Sequence, residues 1–233
     1  MTRHLDIDMH LTLAKGEGFE FTPKFLVIAG FTGRNRLAAR AHIEELSRKG
    51  IAVPSKIPSF YHADPSMITL ADSIEVNTTE SSGEVEPVLI TTRGKRYIAV
   101  GSDHTPRDLE RKSIPDSKRA CQKPISHHVF DLEYVLKEWK NLDLSSQVTR
   151  NGITSEYQHG PISSLMDIDS IVSNLLDSQK INLDNSVIFL GTIPLLGGEF
   201  IFGEHYYMEL GHPLTGEKLS LSYDVKIRES GTA

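Results

Sequence analysis

The segment from Gly83 to Leu109 constrains the fold more than any other part of the chain. Its two strand-like runs, Val85 to Thr91 and Tyr97 to Gly101, are joined by Thr92-Arg93-Gly94-Lys95-Arg96, a length and composition suited to a hairpin connection. The second run leads straight into a helix start, with Thr105 as N-cap, Pro106 at the first helical position and the acidic Asp108 three residues after the cap. Asp103 is thereby set at a strand-to-helix junction. Glu84 and Glu86 are two apart on the first run, so their carboxylates point to one face. Like charges placed in this way must be exposed to water, neutralised by a proton or bridged by a cation. On spacing alone the pair also reads as the solvated face of an amphipathic strand. If the hairpin brings Asp103 to the same rim, three carboxylates make a hard oxygen site suited to Mg2+, Mn2+ or Ca2+, and not to zinc.

The rest of the chain alternates strands with a few helices. Phe25 to Ala29 is a short apolar run closed by Gly30 and Gly33, as in a buried strand. Good helix formers fill Asn35 to Lys49, with Gly50 placed to end the helix, and the following IAVPSKIPSFYHADPS carries three prolines and reads as an extended loop able to cover a site. Phe130 to Trp139 is expected to be a helix, because Leu132, Val135, Leu136 and Trp139 form one apolar face. Asn151-Gly152 signals a tight hairpin turn. Ile168, Ile171, Val172 and Leu175 fall at helical spacing after Asp167, a capping residue, and predict a helix to about Ser178. Ser186 to Leu190 reads as a buried strand, and the runs from Tyr206 to Val225 alternate in a β-like way. Strands with helices between hairpins, rather than strict βαβ alternation, indicate an α+β, β-rich class. At 233 residues, one domain spanning 1–233 is expected.

Composition narrows the functions. A formal net charge of -6 without a basic cluster argues against nucleic acid as a partner. An anionic substrate would then need a local positive centre such as a metal. The start MTRHLDIDMH has no apolar signal core and no run approaches the ~20 apolar residues of a membrane span, so a cytoplasmic protein without a membrane partner is expected. Cys121 stands alone, asks for no oxidising compartment, and reads as inert. His127-His128 lack a third nitrogen or sulfur ligand nearby and read as structural. Gly197-Gly198 lack the residues of a phosphate loop. Arg107 is expected to pair with Asp103 or Glu110, and His104 to face away from the acidic rim.

GEVEPVLI followed by RYIAVGSDHTPRDLE resembles the fumarylacetoacetate hydrolase superfamily, in which a Glu-x-Glu strand precedes a strand ending in Asp-x-x-x-Arg-Asp-Leu. His42 and Glu45 resemble the His-x-x-Glu of that family's lid helix, and Pro54 and Pro58 its proline-rich loop. Lys118 resembles the lysine after the metal aspartate, Asn151-Gly152 and Tyr157-Gln158-His159-Gly160 its Asn-Gly and Gln motifs, and Gly191-Thr192-Ile193-Pro194 its Gly-Thr-Pro turn. These elements follow family order from about Asn35 to Val225. The chain departs from the pattern at Phe60-Tyr61-His62, which lacks a lysine, at Ser102 in place of asparagine, and at the inserted Ile193.

The resemblance implies a mixed β-sheet roll, divided as an N-terminal β segment (1–30), a helix and proline-rich lid (35–65) and a metal-binding β core (80–225), often assembled as a homodimer. It implies metal ligands Glu84, Glu86 and Asp103 holding Mg2+ or Mn2+, with Ca2+ possible in crystals. A 2-oxo acid would bind that metal. His42 and Glu45 would form the catalytic pair, with Lys118 stabilising an oxyanion and Gln158 and Thr192 binding substrate. The expected reaction is hydrolytic cleavage of a carbon–carbon bond in an acylpyruvate-like 2-oxo acid. Decarboxylation, isomerisation or tautomerisation on the same metal is the first rival, and a non-catalytic metal and ligand binding protein the second.

Overall fold

Apolar residues on both faces of the central strands demand cover on both sides, and the computed structural model shows how it is provided. It describes residues 8–37, 44, 47–48, 53–179 and 181–228. The strands, in chain order, are β1 (Met9–Leu13), β2 (Gly18–Phe21), β3 (Phe25–Gly30), β4 (Ser59–Ala63), β5 (Ile68–Thr69), β6 (Ser73–Val76), β7 (Ser81–Ser82), β8 (Val85–Thr92), β9 (Lys95–Ser102), β10 (Thr105–Pro106), β11 (Lys123–Pro124), β12 (His128–Asp131), β13 (Asp143–Arg150), β14 (Ile153–Pro161), β15 (Ser186–Phe189), β16 (His205–Gly211) and β17 (Lys218–Ile227). The α-helices that lie wholly among the described residues are α1 (Arg107–Glu110), α2 (Ile114–Ser117), α3 (Leu132–Val135) and α4 (Ile168–Ser178).

An eight-stranded mixed sheet runs β2-β1-β12-β9-β8-β15-β3-β4, and a five-stranded sheet runs β14-β13-β16-β17-β6. One core lies between them: Val27, Leu89, Ile98 and Ile188 of the first sheet meet Leu144, Val148, Met208 and Leu221 of the second. The opposite face of the larger sheet is covered as well, by a second cluster in which Leu26, Ile28, Val88, Ile90 and Phe189 pack with Leu11 and Phe21. Burial on both faces explains why FLVIA and the VIFL of Val187 to Leu190 are continuously apolar instead of alternating. Among the described residues, no helix is long and apolar enough to cross a membrane.

Local signals fix the hairpins. β8 and β9 extend into the expected five-residue connection and leave a two-residue turn, Arg93-Gly94, with φ of 51° and 72°. Asn151-Gly152 turns in the same way, with φ of 53° and 73°, and the Glu204 carboxylate accepts both of its backbone N–H groups. The helix expected after Asp167 is α4, and Asp167 caps it by accepting from the Ser170 N–H at 2.8 Å.

Three expectations change. The proline-rich stretch contains β4, because Ser59 to Ala63 find backbone partners on β3. Phe130 belongs to β12, where it pairs with Ile98, and the helix behind it is only α3 before a 3-10 turn. Thr105 does not cap α1: it pairs with Ser82, and its hydroxyl donates to the Asp103 carbonyl at 3.0 Å, so the helix begins at Arg107. The helix expected from Asn35 to Lys49 falls largely outside the described residues, and His42 and Glu45 fall outside them.

Candidate functional site

The β8–β9 register brings the acids together. Glu86 pairs with Gly101 and Val85 with Ser102, and the Asp103 N–H donates to the Glu84 carbonyl at 3.1 Å. Alternation therefore directs Glu84, Glu86 and Asp103 to one face, the face that carries Val88 and Ala99 deeper in the sheet. The expected solvated face is excluded. Glu86 is 3% exposed and Asp103 1% exposed, while the Glu84 side chain retains 14%.

Buried carboxylates need partners, and cations supply them. Ion pairs run in one alternating chain, Glu84, Arg107, Glu110, Lys118, Asp103, Lys123, with separations of 3.0, 2.6, 3.2, 2.6 and 2.7 Å. Arg107 takes Glu84 and Glu110, and the two lysines take Asp103. Burial opposes the charges of Arg107 and Lys118, but the surrounding carboxylates keep both firmly protonated. Burial would also raise Asp103, yet Lys118 and Lys123 hold it well below the usual carboxylate range. Glu110, likewise opposed by burial, is held down to about 2 by Lys118 and Arg107.

Glu86 stands outside this balanced chain. Its Oε2 accepts from the Gly191 N–H at 2.8 Å. Burial, then the nearby Asp103, push its carboxyl well above the ordinary range, against the pull of Lys118. Gly191 has to be glycine: its φ is 97°, and a Cβ there would lie 1.8 Å from Thr32 Oγ1.

The remaining candidates surround this centre. Lys118 is 7% exposed and joins Asp103 to Glu110. Gln158 and Thr192 lie beside Val85, bonded to each other at 2.8 Å. Tyr61 on β4 is near enough to feel the charges of Lys118 and Glu110, and its hydroxyl accepts from Ser59 Oγ at 3.1 Å. His104 faces away as expected, between Tyr223 and Ser81. Phe200 covers the Arg107 guanidinium, 4.0 Å from ring centroid to Cζ. Sequence reasoning missed Lys123, which is fully buried and donates to the His104 carbonyl at 2.7 Å. It also missed the bond between Arg107 and Glu84. The alternation of Glu84 and Glu86 was readable, but nothing local announces a lysine whose burial depends on β11 pairing with β5.

Among the described residues, no three His, Cys, Asp or Glu side chains gather around one point that would hold an ion. The cations hold the carboxylate oxygens. The chemistry of the donor set nevertheless fits a hard divalent ion: three carboxylates share one face, and Glu86 is a buried acid in excess of the paired charges. A cleft of about 350 Å3 lined by Tyr134, Leu142, His212 and Glu217 shares no residue with this cluster.

A family model described as "Protein of unknown function (DUF2848)" matches residues 29–223. No curated protein matches the chain in sequence. Among solved structures, the chain is similar to fumarylpyruvate hydrolase from Pseudomonas aeruginosa in complex with Mn2+ and pyruvate, at 19% identity over 98% of this chain and 99% of that one, with a TM-score of 0.65. It is also similar to a 2-keto-3-deoxy-D-arabinonate dehydratase complexed with magnesium and 2,5-dioxopentanoate, at 17% identity over 88% and 74%, with a TM-score of 0.63. A yeast protein of the fumarylacetoacetate hydrolase family matches at 17% identity over 88% and 94%, with a TM-score of 0.60. At these identities the likeness establishes the fold, and it is the fold the ordered motifs implied.

Proposed function

We propose, for a chain that belongs to the DUF2848 family and folds as fumarylacetoacetate hydrolases do, a divalent-metal-dependent enzyme of 2-oxo acids that cleaves a carbon–carbon bond in an acylpyruvate-like substrate by hydrolysis. The observation that carries this reading is the surplus buried acid Glu86 beside a neutral chain of three acids and three bases. With Glu86 ionised, a divalent cation leaves one positive charge, which a monoanionic 2-oxo acid cancels. The Mn2+ and pyruvate of one fold relative and the magnesium and dioxo acid of another support the same pairing.

Glu84, Glu86 and Asp103 would hold Mg2+ or Mn2+, which when bound supplies positive charge to the enolate formed as the bond beside a carbonyl breaks. The protein's own groups do the rest. Arg107 fixes one oxygen of Glu84, and the Gly191 N–H fixes one of Glu86. Lys118, a buried ammonium beside Asp103, donates to a developing oxyanion. His42 would take a proton from the attacking water, with Glu45 as the partner that would orient it. Water adds to the acyl carbonyl of the substrate, the bond to the methylene carbon breaks, the proton held by His42 passes to that carbon, and a carboxylic acid and pyruvate leave. We place the enzyme in the cytoplasm, as a homodimer, with this small molecule as its partner.

The dehydratase among the fold relatives favours a second reading, in which the same centre enolises a 2-oxo acid without hydrolysis. The test is a panel of acylpyruvates and sugar-derived 2-oxo acids with Mg2+ or Mn2+, following pyruvate release and water loss separately. Pyruvate release by the wild type that disappears in Glu84→Gln and His42→Ala supports hydrolysis. Water loss or proton exchange that survives His42→Ala supports the second reading, and no turnover by the wild type on any substrate leaves only a binding protein.

A further inference from the structure

Val85, the residue between the two glutamates, is held by side chains where its strand runs out of neighbours. On one side β8 pairs with β9, but β15 ends at Phe189, level with Val88, so the other edge of β8 at Val85 meets no strand. There, Gln158 Oε1 accepts the Val85 N–H at 2.9 Å, Gln158 Nε2 donates to Thr192 Oγ1 at 2.8 Å, and the Thr192 hydroxyl donates to the Val85 carbonyl at 2.8 Å. Three residues thus close a ring around one peptide segment.

The ring uses up the hydrogen-bonding capacity of Gln158 and the one donor of Thr192. Gln158 Oε1 also accepts from Ser146 Oγ at 3.1 Å, and Nε2 also donates to the Ile193 carbonyl at 2.7 Å, so two acceptor sites and two donors are all occupied. Gln158 is 0% exposed. The one Thr192 proton is spent on Val85. A substrate carboxylate, which only accepts, could take the Thr192 proton only by leaving the Val85 carbonyl without it, and could take a Gln158 proton only by displacing Thr192 or the Ile193 carbonyl.

A β-bulge makes this possible. Along the β13–β14 pair, Ser146 faces Gln158 and Gln147 faces Glu156, which leaves Tyr157 without a partner. Tyr157 and Gln158 are consequently buried in succession, at 2% and 0% exposure, where a regular strand would turn one of them outward. The turn that carries Thr192 also carries Gly191, whose N–H holds Glu86.

We propose that Gln158 and Thr192 are positioning residues that set the spacing of Glu84 and Glu86 by fixing Val85, and that they do not contact substrate. This rests on those glutamates being metal ligands. The test measures Mn2+ affinity by electron paramagnetic resonance, without substrate, for the wild type, Gln158→Met, Thr192→Val and Thr192→Ser. Oxalate affinity is then measured for each at saturating Mn2+. Expected is a ~10- to 100-fold loss of Mn2+ affinity in Gln158→Met and Thr192→Val, retention in Thr192→Ser, and wild-type oxalate affinity throughout. Unchanged Mn2+ affinity with weakened oxalate binding would overturn the proposal and make both residues substrate contacts. If Gln158→Met fails to fold, the two Thr192 variants decide. A wild type that binds no Mn2+ would instead remove the ligand set itself, and the proposal with it.

Discussion

Lys118 Nζ lies 2.6 Å from Asp103 Oδ2, with both side chains almost wholly withdrawn from water. Lys123 approaches the other oxygen at 2.7 Å. In Lys118→Met, Asp103 keeps one cation and Glu110 keeps only Arg107. Breaking a buried pair costs ~3–5 kcal/mol, and the surviving Lys123 sets the expected loss at the low end, about 3 kcal/mol, read from the urea midpoint. A loss below about 1 kcal/mol would mean that the chain of charges is not holding this face together.

Glu110 gives the fold an acid-side pH dependence. Its folded pKa, about 2, lies below the ordinary glutamate value, so the unfolded chain binds more protons between the two. Its stabilisation is therefore full above the ordinary glutamate range and is lost as pH falls toward about 2. Glu110→Gln should be less stable at neutral pH by at most about 3 kcal/mol, the limit set by the size of the shift. The gap from the wild type should narrow steadily below about pH 4.5 and close near pH 2. A gap independent of pH across this window would contradict the assignment.

Burial pushes the Cys121 thiol up to about 11. With 3% exposure as well, it should stay protonated and react with a disulfide reagent near pH 8 only through unfolding, so its labelling rate should follow added urea. Rapid native-state labelling would show that the packing around it is open.

Asp167 accepts from both the backbone N–H and the hydroxyl of Ser170, at 2.8 and 2.9 Å. Asp167→Ala should cost ~1 kcal/mol in chemical unfolding. It should leave metal affinity unchanged, because α4 contributes none of the proposed ligands.

The two hairpins, α4 and the Glu-x-Glu face were legible because each is written locally, in residues that accept positive φ at Gly94 and Asn151, in a cap at Asp167 and in strand alternation at Glu84 and Glu86. β4 was hidden because it exists through pairing with β3, some thirty residues earlier in the chain. Phe130 opens the segment in which Leu132, Val135, Leu136 and Trp139 fall at helical spacing, yet the pairing of Phe130 with Ile98 wins. Within the site the acids could be read, but their partners could not. Arg107 reaches Glu84 across a turn, and Lys123 reaches Asp103 through a two-residue strand, neither of which has a period. Gln158 faces inward because of a bulge that no residue of β14 announces.

The central claim is that Glu84, Glu86 and Asp103 hold a divalent cation, and calorimetric titration of Mg2+ and Mn2+ into the wild type, Glu86→Gln and Asp103→Asn tests it most directly. Expected is one site in the wild type, tightened by oxalate and lost in both isosteric variants. Binding that persists unchanged in the two variants, or no binding by the wild type, would contradict it.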